Sequence, residues 1–182
     1  ALNSHGYSDV QRVQGLRHVY LANQLTESSQ NTVLQGLPPG TSISDLTVLT
    51  KRTMDHGQSW QLLPPPPNEE CLSNSCFLHL QSLSSHSDAT SNPNAPGIVV
   101  ATGNVGKYLR SDPVNTYLSK DAGHTWVLVH QGDYRAEISE QGGLIILGRN
   151  DGPTVELLMS WDVGRTFTRT EFSSVEVFIS SM

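Results

Sequence analysis

The sequence predicts an all-β repeat protein whose units are spaced like the blades of a β-propeller. Three observations carry that prediction: one eight-residue pattern occurs three times, apolar residues alternate on both sides of each copy, and the last two copies lie 41 residues apart. The copies are Thr53-Met-Asp55-His-Gly57-Gln-Ser59-Trp60, Ser119-Lys-Asp121-Ala-Gly123-His-Thr125-Trp126 and Ser160-Trp-Asp162-Val-Gly164-Arg-Thr166-Phe167. Each reads hydroxyl-x-Asp-x-Gly-x-hydroxyl-aromatic. A step of about 40 to 50 residues is that of a four-stranded propeller blade. The first step is longer, 66 residues, and therefore holds an insertion.

Each copy has a mechanical meaning. Asp two residues before Gly, between alternating apolar residues, predicts a hairpin turn in which the carboxylate accepts backbone N–H bonds and Gly takes the left-handed conformation. Around the second copy, Val114, Thr116 and Leu118 share one strand face, and Trp126, Leu128 and His130 share one face of the next. Val155, Leu157 and Met159 lead into the third copy and Phe167 follows it. Leu46, Val48 and Thr50 lead into the first, with Trp60 and Leu62 beyond. Calcium is disfavoured at these turns, because an oxygen cage needs six or more ligands and each turn offers one carboxylate.

The insertion lies between Pro64 and Pro96. It holds Pro64 to Pro67, both cysteines, and a run from Ser82 to Asn94 made almost entirely of small polar residues and Pro. Residues 82–94 are therefore expected to form a flexible surface loop, because such a run buries too little apolar surface to order itself. Cys71 and Cys76 are either a small disulfide ring or two reduced side chains, and two ligands alone make no zinc site. The ring is favoured, and an oxidised pair implies a secreted or lumenal compartment.

Bulk properties narrow the classes further. A chain of 182 residues is one domain's worth, and 36% hydrophobic with 15% charged residues suits a folded protein. A net charge of −6, with 11 Lys and Arg placed singly, offers no stripe for phosphates or anionic lipid, so neither nucleic acid nor direct membrane contact is expected. There is no signal-peptide pattern at the start and no run of eighteen apolar residues. Gly103-Asn-Val-Gly106-Lys107 superficially resembles a phosphate loop, but Ala101 and Tyr108 occupy positions where that loop needs Gly and Ser or Thr. The seven His residues are dispersed; His56 and His124 fall inside turns and are expected to face solvent. His79, between Leu78 and Leu80, is expected to be a hydrogen-bonded strand residue rather than a pH switch. No cofactor and no metal are expected.

The three turns are Asp boxes, a motif of sialidases, other glycosidases and several propellers. More of the chain resembles the sortilin family of vacuolar-protein-sorting receptors. Asp9 to Ala22 is similar to the strand before a late blade of that family, and Cys71-Leu-Ser-Asn-Ser-Cys76-Phe-Leu78-His79-Leu80 to its cysteine pair. Ala95-Pro96-Gly97-Ile98-Val99-Val100-Ala101-Thr102-Gly103 runs into the second Asp box at the family's usual distance, and Gly142 to Ile146 resembles the next blade's innermost strand. A Gly-Pro-His-Tyr-Tyr run of the family is replaced by Gly132-Asp133-Tyr134-Arg135.

The resemblance implies that residues 1–182 are a fragment of one such domain, a partial β-propeller of three to four four-stranded antiparallel blades with Asp-box hairpins. It implies a lumenal or extracellular part of a Golgi, endosome or cell-surface receptor, with peptide or protein cargo. It also implies further blades and C-terminal modules as intramolecular partners, and a segment of the ring alone would leave two open faces. Strands lining a tunnel would meet an extended ligand; the candidates are Val19 to Ala22, Ile98 to Thr102 and Leu144 to Leu147, which read equally as buried central strands. No individual ligand-binding residue carries over.

The rival expectation is a sialidase-like glycoside hydrolase. That chemistry needs paired carboxylates about 5 to 10 Å apart, or a Tyr nucleophile with an Arg cluster. Outside the turns the candidates are Glu137, Glu140, Glu156, Glu171 and Glu176, with Arg12, Arg110, Arg135 and Arg149 dispersed; none sits in a matching motif. The sequence therefore favours a binding protein in which Asp55, Gly57, Trp60, Asp121, Gly123, Trp126, Asp162, Gly164 and Phe167 are structural.

Overall fold

The computed structural model describes residues 9–42, 45–70, 75–81, 83 and 89–179. Among them are three antiparallel sheets, each a meander in chain order. The first runs β1 (Val10–Arg12), β2 (Tyr20–Leu25), β3 (Val48–Thr53) and β4 (Gln61–Leu62). In the second, β5 (Phe77–Leu80) and β6 (Ala89–Ser91) lie end to end along one edge of β7 (Val99–Gly106), followed by β8 (Asn115–Ser119) and β9 (Val127–Gln131). The third is β10 (Tyr134–Ile138), β11 (Ile145–Arg149), β12 (Glu156–Ser160) and β13 (Thr168–Glu171). The fold is the all-β partial propeller the sequence predicts, with three blades among the described residues, and each third strand runs into an Asp box.

The sheets stack face to face, and strand alternation builds both seams. On β7, Val99 and Ala101 enter the core shared with the first sheet, while Val100, with Ile98 just before the strand, enters the core shared with the third. The period of two along a strand sends neighbours to opposite faces, so a nearly continuous apolar run is what a sheet covered on both sides requires. The first strands are also tied directly: Thr90 of β6 donates to the Ala136 carbonyl of β10 at 3.2 Å, and Asn92 donates to that of Ile138 at 2.8 Å. Gln14, in the turn between β1 and β2, donates its backbone N–H to the Ser91 hydroxyl at 3.0 Å.

Several expectations need correction. The proposed tunnel-lining segments Val19 to Ala22, Ile98 to Thr102 and Leu144 to Leu147 lie on or against β2, β7 and β11, which are second strands with partners on both sides. Gly142 to Ile146 thus leads into a central strand and not an innermost one. With both backbone edges already paired, none of the three can add a ligand strand, so the buried-central-strand alternative is the one observed.

The surface loop expected at 82–94 is corrected over its described second half. Ala89–Ser91 is strand β6 and Asn92 anchors to β10, because β7 supplies a ladder that composition alone does not reveal. Residues 82 and 84–88 lie outside the described residues, whereas Leu83 is buried in the first seam. The face shared by Trp126, Leu128 and His130 is broken: Tyr117 pairs with Leu128 but Thr116 with His130, so a bulge at Val129 turns His130 to the other side. An unexpected helix, α1 (Glu27–Leu34), occupies the link between β2 and β3, with Thr26 as its N-cap.

Candidate functional site

The three Asp boxes repeat one hydrogen-bond pattern. The leading hydroxyl of Thr53, Ser119 or Ser160 donates to the Asp carboxylate at 2.7, 2.9 and 2.8 Å. The same oxygen accepts the Gly57, Gly123 or Gly164 N–H at 2.9, 2.7 and 2.8 Å. Four residues after the Asp, Ser59, Thr125 or Thr166 gives its N–H to one carboxylate oxygen at 2.9, 2.7 and 2.8 Å and its hydroxyl to the other at 2.6, 2.6 and 2.7 Å. Both oxygens of each aspartate are thereby engaged by O–H and N–H donors, which is the geometry of a brace.

The backbone explains the remaining positions. His56, Ala122 and Val163 have φ near +60, and Gly57, Gly123 and Gly164 follow at +91, +83 and +71. Two successive left-handed residues define the tight turn, and Val163 accepts a conformation that a β-branched side chain disfavours. Trp60 and Trp126 then return their indole N–H to the Gly57 and Gly123 carbonyls, each at 3.1 Å. Phe167, without that donor, only packs against the second seam.

Electrostatics agree with bracing. Hydrogen bonds from the Ser59 hydroxyl and N–H hold the Asp55 carboxyl far below the ordinary range, and those from Thr166 do the same for Asp162. At Asp121 burial pushes upward, but the bonds from Thr125 and Ser119 outweigh it and the carboxyl sits below its usual value. Aspartates held ionised by their own turns are poor proton donors.

The boxes differ in what lies against them. A Cβ on Gly123 would stand 3.4 Å from Leu21 and 3.6 Å from Arg52 of the first sheet; one on Gly164 would stand 2.2 Å from Leu118 of the second. The second and third boxes are wedged onto the preceding sheet. A Cβ on Gly57 of the first box would meet, among the described residues, only its own Trp60, at 3.7 Å.

His79 is the hydrogen-bonded strand residue expected. It is fully buried, its Nδ1 accepts from the Thr50 N–H at 3.1 Å, and its Nε2 lies 3.2 Å from the Gly106 carbonyl. Those partners fit a neutral ring, and burial lowers its pKa. Thr50 extends the network by donating to Asn23 Oδ1 at 2.6 Å and accepting from the Leu80 N–H at 2.8 Å. Sequence reading missed this cross-seam network; an isolated His, Thr and Asn carry no spacing that signals it.

It also missed the clasp built from the insertion's first residues. Asn68 pairs both ways with the Leu128 backbone, at 2.9 and 3.1 Å. Glu69 accepts from the Tyr117 hydroxyl at 2.8 Å, and that phenol's pKa is raised by burial and by this bond. Of the cysteines, Cys76 is disulfide-bonded, and Cys71 lies outside the described residues.

The carboxylates considered for sugar chemistry do not converge on a cleft. Glu137 and Glu140 are exposed near β10; Glu156 and Glu171 face each other across β12 and β13, where Arg169 is 3.6 Å from Glu156; Glu176 is exposed beyond them. Arg12 lies on β1, Arg110 follows β7, Arg135 donates to Asn150 at 3.2 Å, and Arg149 pairs with Asp151 at 2.6 Å. His56 and His124 are exposed in their turns. Among the described residues no group of three or more His, Cys, Asp or Glu is placed to hold a metal. Gly103, from the phosphate-loop look-alike, lies in β7, where a Cβ would stand 2.0 Å from the His79 carbonyl oxygen.

Sheets of this order, joined at their first strands and wedged by braced Asp-box turns, define an Asp-box propeller repeat. A family model described as "Sortilin, neurotensin receptor 3" matches residues 1–182, and the chain belongs to that sortilin family of sorting receptors. It is 33% identical over 196 residues to "Vacuolar protein sorting/targeting protein 10" of Ajellomyces capsulatus strain H143, covering 99% of this chain and 13% of that protein. The protein of the same name from Blastomyces gilchristii is 33% identical over 193 residues, covering 97% and 12%. That from Trichophyton verrucosum is 31% identical over 196 residues, covering 99% and 13%. The chain therefore spans about an eighth of the length of these relatives. A crystal structure of the Niastella koreensis GH74 enzyme overlaps 93% of this chain and 35% of its own at a TM-score of 0.27 and 10% identity, a likeness that bears on neither fold nor activity. No helix among the described residues is long and apolar enough to cross a membrane.

Proposed function

We propose that this chain supplies three consecutive blades to the lumenal propeller of a sorting receptor that binds peptide or protein cargo and escorts it between Golgi, endosome and lysosome or vacuole. The observation that carries this is the family match along residues 1–182. The relatives' name points to vacuolar sorting. In this reading the Asp-box residues hold blades in place and perform no chemistry, since every box carboxylate oxygen is already engaged by its own turn. The chain is a binding module and not an enzyme. Its intramolecular partners are further blades and C-terminal modules, and a Cys71–Cys76 ring closes the segment before β5, consistent with an oxidising lumen.

The test uses the longest natural form of the protein. Cells lacking it should secrete a vacuolar hydrolase precursor that wild-type cells retain, and the purified lumenal portion should bind that precursor saturably without releasing sugar from glycosides. Unchanged retention together with glycoside turnover would overturn the reading in favour of the hydrolase.

A further inference from the structure

The seam between the second and third sheets is closed at one side and open at the other. Its first strands are tied by Thr90 and Asn92, whereas its last strands, β9 and β13, diverge and leave a groove of about 570 Å³. Both walls of this groove are already present, unlike the outward faces of the first and third sheets. Its floor is apolar, with Val127 and Val129 on one side and Leu158 and Phe167 on the other. The bulge at Val129 helps to shape it, because the extra residue keeps a second valine turned toward the seam.

The aromatic position of the Asp box sets the depth. In the neighbouring seam Trp126 occupies this place and is 1% exposed. Phe167 is smaller, stays partly exposed and lines the groove. The rim is basic: Lys120, Arg165 and Arg169 are all exposed. Arg169 has Glu156 at 3.6 Å, but among the described residues no carboxylate is paired with Lys120 or Arg165. Asp121 and Asp162, their neighbours in sequence, are occupied inside their turns. A local excess of positive charge over an apolar floor thus stands out in a chain of net charge −6.

We propose that this groove docks an extended peptide of a partner protein in which carboxylates alternate with apolar side chains. The period of two of an extended chain places apolar groups on the floor and carboxylates toward the rim, where charge-assisted hydrogen bonds to Arg and Lys are strongest. Strand addition to β9 is blocked at Leu128, whose N–H and carbonyl are both taken by Asn68. Side chains therefore hold the peptide. The inference rests on the receptor reading only for the statement that the peptide is cargo.

The experiment is fluorescence anisotropy with the longest natural form of the protein and a labelled peptide of about ten residues alternating Glu and Val. Binding is expected, weakening as salt rises. Lys120→Glu combined with Arg165→Glu, both at exposed positions, is expected to weaken it at least about tenfold. Phe167→Trp, which restores the residue found at the second box, fills the groove and is expected to do the same. An alternating Lys and Val peptide should not bind. Equal affinity for the doubly reversed variant, equal binding of the basic peptide, or no binding of the acidic one overturns the inference. A protein that sorts cargo yet ignores the acidic peptide overturns this inference alone; one that binds the peptide but sorts nothing overturns the receptor reading alone.

Discussion

Trp60 and Trp126 close the same turn with the same bond, indole N–H to glycine carbonyl at 3.1 Å, yet one is 38% exposed and the other 1%. The hydrogen bonds inside the two boxes agree to within 0.2 Å; what differs is the neighbour. The second box rests on Leu21 and Arg52 of the sheet before it, whereas among the described residues a Cβ on Gly57 of the first box would meet only Trp60 of the same turn. An Asp box therefore has two separable jobs. Its hydroxyls, Asp and Gly make the turn by themselves, whereas its aromatic residue stabilises only when a neighbouring sheet covers it.

The largest effect that separates these jobs is truncation of the aromatic. In the 182-residue chain, Trp126→Ala should cost about 3 to 5 kcal/mol in urea unfolding, the range for removing a buried aromatic. Trp60→Ala should cost under about 1 kcal/mol, as changes at exposed positions do. Equal losses would break the comparison.

The glycines give the next largest contrast. Gly164→Ala meets both a left-handed backbone and a clash with Leu118, so about 2 to 4 kcal/mol is expected; Gly57→Ala meets only ordinary contact with Trp60 and should lose only the conformational part, about 1 to 2 kcal/mol. Thermal unfolding of the two variants checks the order. Ser119→Ala, which removes the acceptor for the buried Gly123 N–H, should fall near 1 to 3 kcal/mol on the scale of about one lost buried hydrogen bond.

The smallest effects are those of pH. Asp55, Asp121 and Asp162 have folded pKa values below their unfolded ones, so their contribution is present above about pH 4 and drains away as pH falls below it. His79 is also lowered, so the folded state prefers its neutral ring; that contribution is complete above about pH 6.5 and declines as pH falls through the unfolded value. Denaturant titrations should show a shallow decline beginning near pH 6.5, absent in His79→Gln, and a steeper one below about pH 4 that persists in it. A His79→Gln curve with the same upper decline would place the titrating group elsewhere.

The parts of the molecule legible in sequence were those governed by local rules. Three turns and their flanking strands followed from Asp, Gly and hydroxyl spacing, because those side chains bond within eight residues of one another. Strand β6 was not legible, since Ala89, Thr90 and Ser91 acquire order only from the ladder offered by β7. The rank of β2, β7 and β11 within their sheets was misjudged for a related reason: apolar runs announce burial on both faces but not which edge lies inward. The Val129 bulge and the groove beside Phe167 depend on pairing across β8 and β9 and on the gap between sheets, neither of which has a one-dimensional signature.

As successive blades, these sheets should each have their aromatic wedge covered by the blade before. Hydroxyl-radical footprinting of Trp60 and Trp126, in this chain and in the longest natural form of the protein, tests it most directly. Trp126 is expected to be protected in both, and Trp60 to be labelled in this chain but protected in the longer form. Trp126 labelled as readily as Trp60, or Trp60 remaining open in the longer form, would contradict it.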